Sequence, residues 1–290
     1  MNYPVRILSD LHLGHRVSRI ASAESLRPLI AGAATVIFNG DTWQELARAF
    51  RERSAEMLDD LTRICAEEGV EPIFLSGNHD PGWHGPGWVE LAGGRILITH
   101  GDALFPDGSP WSREALTRQD QVGELWKRYE AVIDDPAERI VLAREMALVL
   151  RAAEYPKGKQ LWQRALDAVR PPRRAFEMLR VWATQADAAA AFAERYFPKA
   201  EIIIKGHFHR AGIWHRRGRL VINLGAFMNP CPALWADYDG GMLRCGKVDE
   251  SGELYRLGEV SGGWRVAGGP PGSDTWRRIR NQTPELDQDG

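Results

Sequence analysis

The sequence predicts an α/β protein carrying a helical insert, and three observations lead there. From residue 5 to about 105, short apolar runs alternate with stretches of helical spacing. Between about 111 and 198 no strand-like run occurs. From 201 onward short strands return, separated by glycine-containing turns.

Taken in order, Val5–Leu8 reads as the first strand, 21–31 as a helix and Thr35–Phe38 as the second strand. A long helix is expected over 45–68, because Met57, Leu61, Ile64 and Cys65 recur at three- and four-residue spacings and Gly69 follows as a cap. Pro72–Leu75 is the third strand and 95–99 the fourth, after a Gly/Trp/Pro-rich loop. Helices are expected near 112–133, 136–154, 159–169 and 174–196, punctuated by Pro136, Pro156 and Pro171-Pro172. Strands follow at 201–204 and 220–222, then around 234–238, 242–248 and 253–257 as antiparallel hairpins. These boundaries give one domain over 1–261, an insert or lid at about 111–198, and a mobile tail from 262 to 290 that is rich in Gly, Pro and charge.

Composition narrows the class. The 290 residues are 44% hydrophobic and 26% charged, ordinary for a soluble globular chain long enough to bury a large core. A formal charge of −2 gives no strong nucleic-acid footprint over the whole protein. Three cysteines, Cys65, Cys231 and Cys245, are too few for a disulfide framework, and none forms a CxxC pair. With no signal-like h-region and no run near the roughly 18 apolar residues of a membrane span, a cytoplasmic protein is expected. Peripheral membrane contact through the insert stays open.

Function is written at the ends of the apolar runs. They terminate in Ser9-Asp10-Leu11-His12, Asn39-Gly40-Asp41, Gly77-Asn78-His79-Asp80, Thr99-His100-Gly101-Asp102 and Gly206-His207-Phe208-His209. In open α/β sheets ligands bind beyond the carboxyl ends of the strands, so these groups would share one rim. Six of the eight histidines fall in or beside these segments: His12, His15, His79, His100, His207 and His209. Carboxylate, imidazole and amide without thiolate suit Mn, Fe, Zn or Mg rather than a cysteine-based structural zinc. Seven candidate ligands exceed what one tetrahedral ion uses, which points to two divalent ions with Asp41 as the shared carboxylate.

The ordered set D-x-H, G-D, G-N-H-D, H-G-D, G-H-x-H resembles the calcineurin-like metallophosphoesterase superfamily. That resemblance implies a four-layer αββα sandwich with the helical insert between the fourth and fifth ligand strands. It implies one metal on Asp10, His12, Asp41 and His209, and a second on Asp41, Asn78, His100 and His207, with manganese first among the candidate ions. His79 would contact phosphate and protonate the leaving oxygen, with Asp80 orienting its ring, and a metal-bound hydroxide would attack phosphorus. Asn78, His79 and His15 are candidate substrate contacts. The family's acidic residue three positions after the G-D aspartate is Gln44 here.

The expected substrate is a small phosphoester or pyrophosphate, phosphorylated alone or linked to a lipid or nucleotide. The insert's position and His100-Gly101-Asp102 resemble the UDP-diacylglucosamine hydrolase branch, whereas that branch carries Arg at the position of His79. A nuclease is an alternative and a non-catalytic scaffold a third. Trp111, Leu125, Trp126, Tyr129, Leu161, Trp162, Phe176, Leu179 and Trp182 would line an acyl groove or form the core of a bundle. Arg170, Arg173 and Arg174 would meet phosphates or form an exposed basic turn.

Overall fold

The computed structural model describes residues 1–110, 112–151 and 172–266. The helix expected at 159–169, Trp111, Leu161, Trp162, Arg170 and the stretch 267–290 lie outside them. Two sheets stack face to face. The first has β1 (Val5–Leu8), β2 (Thr35–Asn39), β3 (Glu71–Leu75), β9 (Leu234–Tyr238), β10 (Met242–Ser251) and β11 (Leu254–Arg265), in the order β11-β10-β9-β1-β2-β3. The second has β4 (Trp88–Leu91), β5 (Ile96–Thr99), β6 (Ile202–Lys205), β7 (Gly212–Arg216) and β8 (Arg219–Asn223), in the order β4-β5-β6-β8-β7. The ligand-bearing strands run parallel within each sheet: β1 with β2, β2 with β3, and β5 with β6.

Alternation along the strands creates the layers, because successive side chains point to opposite faces. Ile7 and Ile37 face inward against Ile96, Ile98, Ile202 and Ile204, forming a dry core between the sheets. Their neighbours Leu8 and Phe38 face outward onto α1 (Arg27–Ile30) and α2 (Arg51–Glu67), meeting Leu29, Ile30, Leu61 and Ile64. On the far side, Leu97, Ile203 and Val221 pack on a stripe of alanines. Ala186, Ala189, Ala190 and Ala193 belong to α6 (Pro172–Tyr196), and their small side chains let the helix lie close on the sheet. The result is the αββα sandwich expected from the sequence.

Several boundaries moved for identifiable reasons. The helix expected from residue 45 begins at Arg51, because the preceding backbone is committed elsewhere. The amides of Asp41, Thr42 and Trp43 donate to Asp80, that of Gln44 to Ser54 Oγ, and those of Glu45 and Leu46 to the His79 carbonyl. The helix at 21–31 is a 3-10 turn, Ala23–Leu26, followed by the single turn of α1. The domain end placed at 261 is overrun by β11, whose Trp264 is 2% exposed in the inter-sheet core.

The insert contains α3 (Arg113–Thr117), α4 (Gln119–Tyr129) and α5 (Pro136–Leu150) ahead of α6. Pro136 opens α5 and Asp135 caps it, accepting from the Ala137 amide. Leu125 and Tyr129 are buried against Leu142 and Met146, so they form helix–helix core rather than a groove. Trp126 packs at its edge beneath the Arg139 guanidinium, and Trp182 donates to the Phe208 carbonyl. Phe176 and Leu179 are exposed. No described helix is long and apolar enough to cross a membrane.

Candidate metal centre

The five strand ends converge at one edge of the sandwich, three from the first sheet and two from the second. They form two clusters that share Asp41: Asp10, His12, Asp41 and His209, and Asp41, His100 and His207. Within each cluster the ligand atoms lie within 4.8 Å of one another. Asp41 Oδ2 stands between them, 3.8 Å from His12 Nε2 and 3.4 Å from His100 Nε2. Its other oxygen accepts from the His79 amide at 2.8 Å.

The backbone pays for this convergence locally. Asp10, His12, Asp41, His207 and His209 all have positive φ, between 48° and 67°. Such conformations cost residues with a Cβ of order 1–3 kcal/mol each and persist where the surroundings over-determine them. Two glycines make room. A Cβ on Gly206 would stand 2.0 Å from Asp10 Oδ2, and one on Gly40 2.5 Å from the His100 ring.

Main-chain carbonyls fix which ring nitrogen of His100 and of His207 can serve as a ligand. His100 Nδ1 donates to the Asn39 carbonyl at 2.9 Å, leaving Nε2 as the ligand atom. His207 Nε2 donates to the Gly108 carbonyl at 3.2 Å, leaving Nδ1. A carbonyl only accepts, so both assignments are forced. In the first cluster, His12 Nε2 is 3.2 Å from His209 Nε2, which is itself 3.2 Å from Asp10 Oδ1. Asp10 is held by the Ser9 hydroxyl at 2.5 Å and by the His207 amide.

The donor set fits divalent metal. Asn78 Oδ1 is buried in the cavity wall without a hydrogen-bond partner, a state that normally costs about 1–3 kcal/mol, and His100 Nε2 has only the long 3.4 Å approach to Asp41 Oδ2. Burial and the neighbouring His79 hold the His12 pKa well below its ordinary value, which suits a neutral ligand. Burial likewise lowers His207, helped by His100. Burial opposes charge on His100, but Asp41 outweighs it and holds that pKa well above the ordinary value. Cluster chemistry of this kind leaves the identity and number of ions open between Mn, Fe, Zn and Mg.

Two sequence expectations change. Asp80, expected to orient the His79 ring, instead gathers four backbone amides, those of Gly77, Asp41, Thr42 and Trp43, with the Trp83 indole N–H. It shapes the loop that presents Asp41. Burial and Asp41 push its pKa up to about 7. The ring of His79 is held by Gln44, whose Oε1 lies 3.0 Å from Nδ1. Gln44 also reaches His12 Nδ1 at 3.0 Å, and no sequence signal beyond its departure from the family pattern marked it.

A cavity of about 290 Å³ opens over the clusters, lined by Asp41, Asn78, His79, His207 and His209. Helix α5 also lines the cavity, with Ala143, Met146, Ala147 and Leu150, as do Arg151 and Arg174. His15 is not among the lining residues; its ring sits 4.9 Å from that of Phe50 and 6.2 Å from that of His12. Asp102 lines the cavity and is buried, which raises its pKa. His84 and His215 are exposed.

No family model and no curated protein matches this chain. Solved structures align with this chain at low identity. A conserved uncharacterised protein of Streptococcus pneumoniae, described as a predicted phosphoesterase, is 14% identical with a TM-score of 0.38, over 90% of this chain and 97% of that one. Zinc-complexed vacuolar protein sorting 29 of Entamoeba histolytica gives 16% and 0.39, over 92% and 99%. A cold-active protein-tyrosine phosphatase of a Shewanella species gives 13% and 0.37, over 85% and 78%. What stands on the molecule itself is the layered αββα architecture of the metallophosphoesterase resemblance, with two Asp/His clusters able to hold metal at its rim.

Proposed function

We propose that the protein is a dinuclear, divalent-metal-dependent phosphoric ester hydrolase. The observation that carries this reading is a pair of poorly satisfied buried atoms at the clusters: Asn78 Oδ1, which lacks a hydrogen-bond partner, and His100 Nε2, which has only Asp41 Oδ2 at 3.4 Å. A merely structural rim would satisfy them; two ligands awaiting a cation would look as these do. Asp10, His12, Asp41 and His209 would hold one ion, and Asp41, Asn78, His100 and His207 the other, with manganese the expected occupant. Bound there, the ions would neutralise phosphoryl oxygens and supply a readily deprotonated water.

The chain's own residues supply the rest. Asp41 couples the two positions through one oxygen. His79, whose side chain is 30% exposed with Nε2 4.0 Å from Asp41 Oδ2, can donate to a phosphoryl or leaving oxygen. The α5 wall would exclude water from an apolar substituent, and Arg151 and Arg174 would favour a second anionic group. A lipid- or nucleotide-linked phosphoester has both features, and a pyrophosphate supplies the second charge.

The test is hydrolysis of bis-p-nitrophenyl phosphate by chelator-treated protein, before and after Mn²⁺ is restored. Activity should be absent, return with the metal, and fail to return in Asp41→Ala. Unchanged turnover by metal-free Asp41→Ala would overturn the reading. A metal-loaded panel of monoesters, diesters, a UDP-linked lipid and single-stranded DNA then ranks substrates and separates an esterase from a nuclease.

A further inference from the structure

We propose that Gln44 is a positioning residue that couples metal ligation by His12 to the ring nitrogen on which His79 carries its proton. The inference rests on the reading of His12 as a ligand through Nε2. Gln44 is wholly buried, with its backbone N–H donating to Ser54 Oγ at 2.8 Å and Ser54 donating to the Leu13 carbonyl at 2.6 Å. Its carboxamide sits between two rings packed edge to face, with centroids 4.8 Å apart. Nε2 faces His12 Nδ1 at 3.0 Å and Oε1 faces His79 Nδ1 at 3.0 Å.

A carboxamide has one donating end and one accepting end. The two Nδ1 atoms facing it must therefore differ: one bears hydrogen and the other offers a lone pair. With Nε2 toward His12, the neutral His12 ring carries its proton on its own Nε2. That atom lies 3.8 Å from both Asp10 Oδ1 and Asp41 Oδ2, and in this tautomer it has no lone pair for a cation.

A half-turn of the amide exchanges Oε1 and Nε2 with little movement of heavy atoms. His12 Nδ1–H then donates to Oε1, and His12 Nε2 is free to ligate. The same half-turn aims the amide N–H at His79 Nδ1, which must now accept. The His79 proton consequently stands on Nε2, the nitrogen on the Asp41 side of the ring. No proton enters or leaves: one moves from Nε2 to Nδ1 on His12 and one from Nδ1 to Nε2 on His79. A glutamate at this position could not do this, since a carboxylate would accept from both rings and leave the hydrogen of His79 on Nδ1.

The experiment uses the full chain with ¹⁵N-labelled histidine and Zn²⁺ as a diamagnetic probe, reading tautomers from long-range ¹H–¹⁵N spectra and affinity by calorimetry. In zinc-loaded wild type, His12 should show Nδ1–H with a metal-shifted Nε2, and His79 should show Nε2–H. Gln44→Glu should bind zinc no more weakly yet show hydrogen on His79 Nδ1. Gln44→Leu should weaken zinc about 10–100-fold, as loss of a ligand's supporting hydrogen bond commonly does. Zinc on His12 with His79 protonated at Nδ1 in wild type, or His79 unchanged in Gln44→Glu, would overturn the coupling alone. Zinc that leaves His12 Nε2 unperturbed would overturn the ligand assignment and the coupling with it. The wild-type spectra decide the matter even where a variant fails to fold.

Discussion

The two ligand clusters share a carboxylate and differ in what stands behind their histidines. His100 and His207 are backed by main-chain carbonyls, those of Asn39 and Gly108. Their tautomers are therefore set by the fold, before any ion arrives. His12 is backed by the side chain of Gln44, which can present either end. His209 is the most exposed of the four, with 27% of its side chain open. One cluster is hard-wired by backbone, and the other is adjustable and reports to His79. Preorganisation in this molecule is thus unevenly distributed, and the adjustable half is the one wired to the proposed proton donor.

The sharpest way to break that contrast is His100→Ala. It removes a ligand from the hard-wired cluster alone, so metal stoichiometry should fall from two to one while the His12 signals still respond to zinc. Turnover of a model diester should drop at least about 10²–10³-fold, the usual scale for losing one electrostatic stabiliser of a transition state. Equal loss of both ions would erase the distinction between the clusters.

Gly40→Ala should come next in size. Its φ of +76° and the 2.5 Å approach of a Cβ to the His100 ring leave no room for the methyl group. We expect a destabilisation of at least about 1–3 kcal/mol in urea unfolding, with metal lost first from the backbone-defined cluster.

Asp80→Asn tests whether the Asp41 loop is held independently of His79. An amide offers one accepting oxygen where the carboxylate serves four backbone N–H groups, so stability should fall by about 1–3 kcal/mol per orphaned donor. The imidazole signals of His79 should keep their tautomer. A changed His79 tautomer would restore the orienting role that the sequence suggested.

The smallest expected effect is on pH. Burial, with His79 and Arg16 nearby, lowers the His15 pKa to about 4 from an ordinary 6.5. Between those values the unfolded chain binds a proton that folded His15 refuses. The corresponding stability is fully present above about 6.5 and is lost as pH falls toward about 4. Thermal melts of chelated protein from pH 7 to 5 should fall less steeply for His15→Gln than for wild type. Identical slopes would exclude the contribution.

The sequence exposed those parts of the site that lie next to their strands. Asp10, Asp41, His100 and His207 each follow an apolar run, so pattern alone placed them at a rim. The roles of Gln44 and Asp80 were illegible for the opposite reason. Their partners are 32 and 35 residues away for Gln44 and up to 39 for Asp80, across loops whose crossing no local pattern records. The late start of α2 has the same origin, since the amides that would have opened the helix are spent on Asp80, His79 and Ser54. In the insert, composition announced helices but could not say that Leu125 and Tyr129 face Leu142 rather than a ligand.

The candidate ligands come from two different sheets, joined at the rim by the chain between β3 and β4 and by hydrogen bonds such as that from Asn39 Nδ2 to the Thr99 carbonyl at 3.1 Å. Away from the rim, the spacing of the two groups of candidate ligands is set by the isoleucine layer between the sheets, where Ile7 and Ile37 meet Ile98 and Ile204. That makes the hydrocarbon core a spacer for the chemistry. Trimming or enlarging a side chain there would shift the two groups of candidate ligands relative to each other without touching a single one of them.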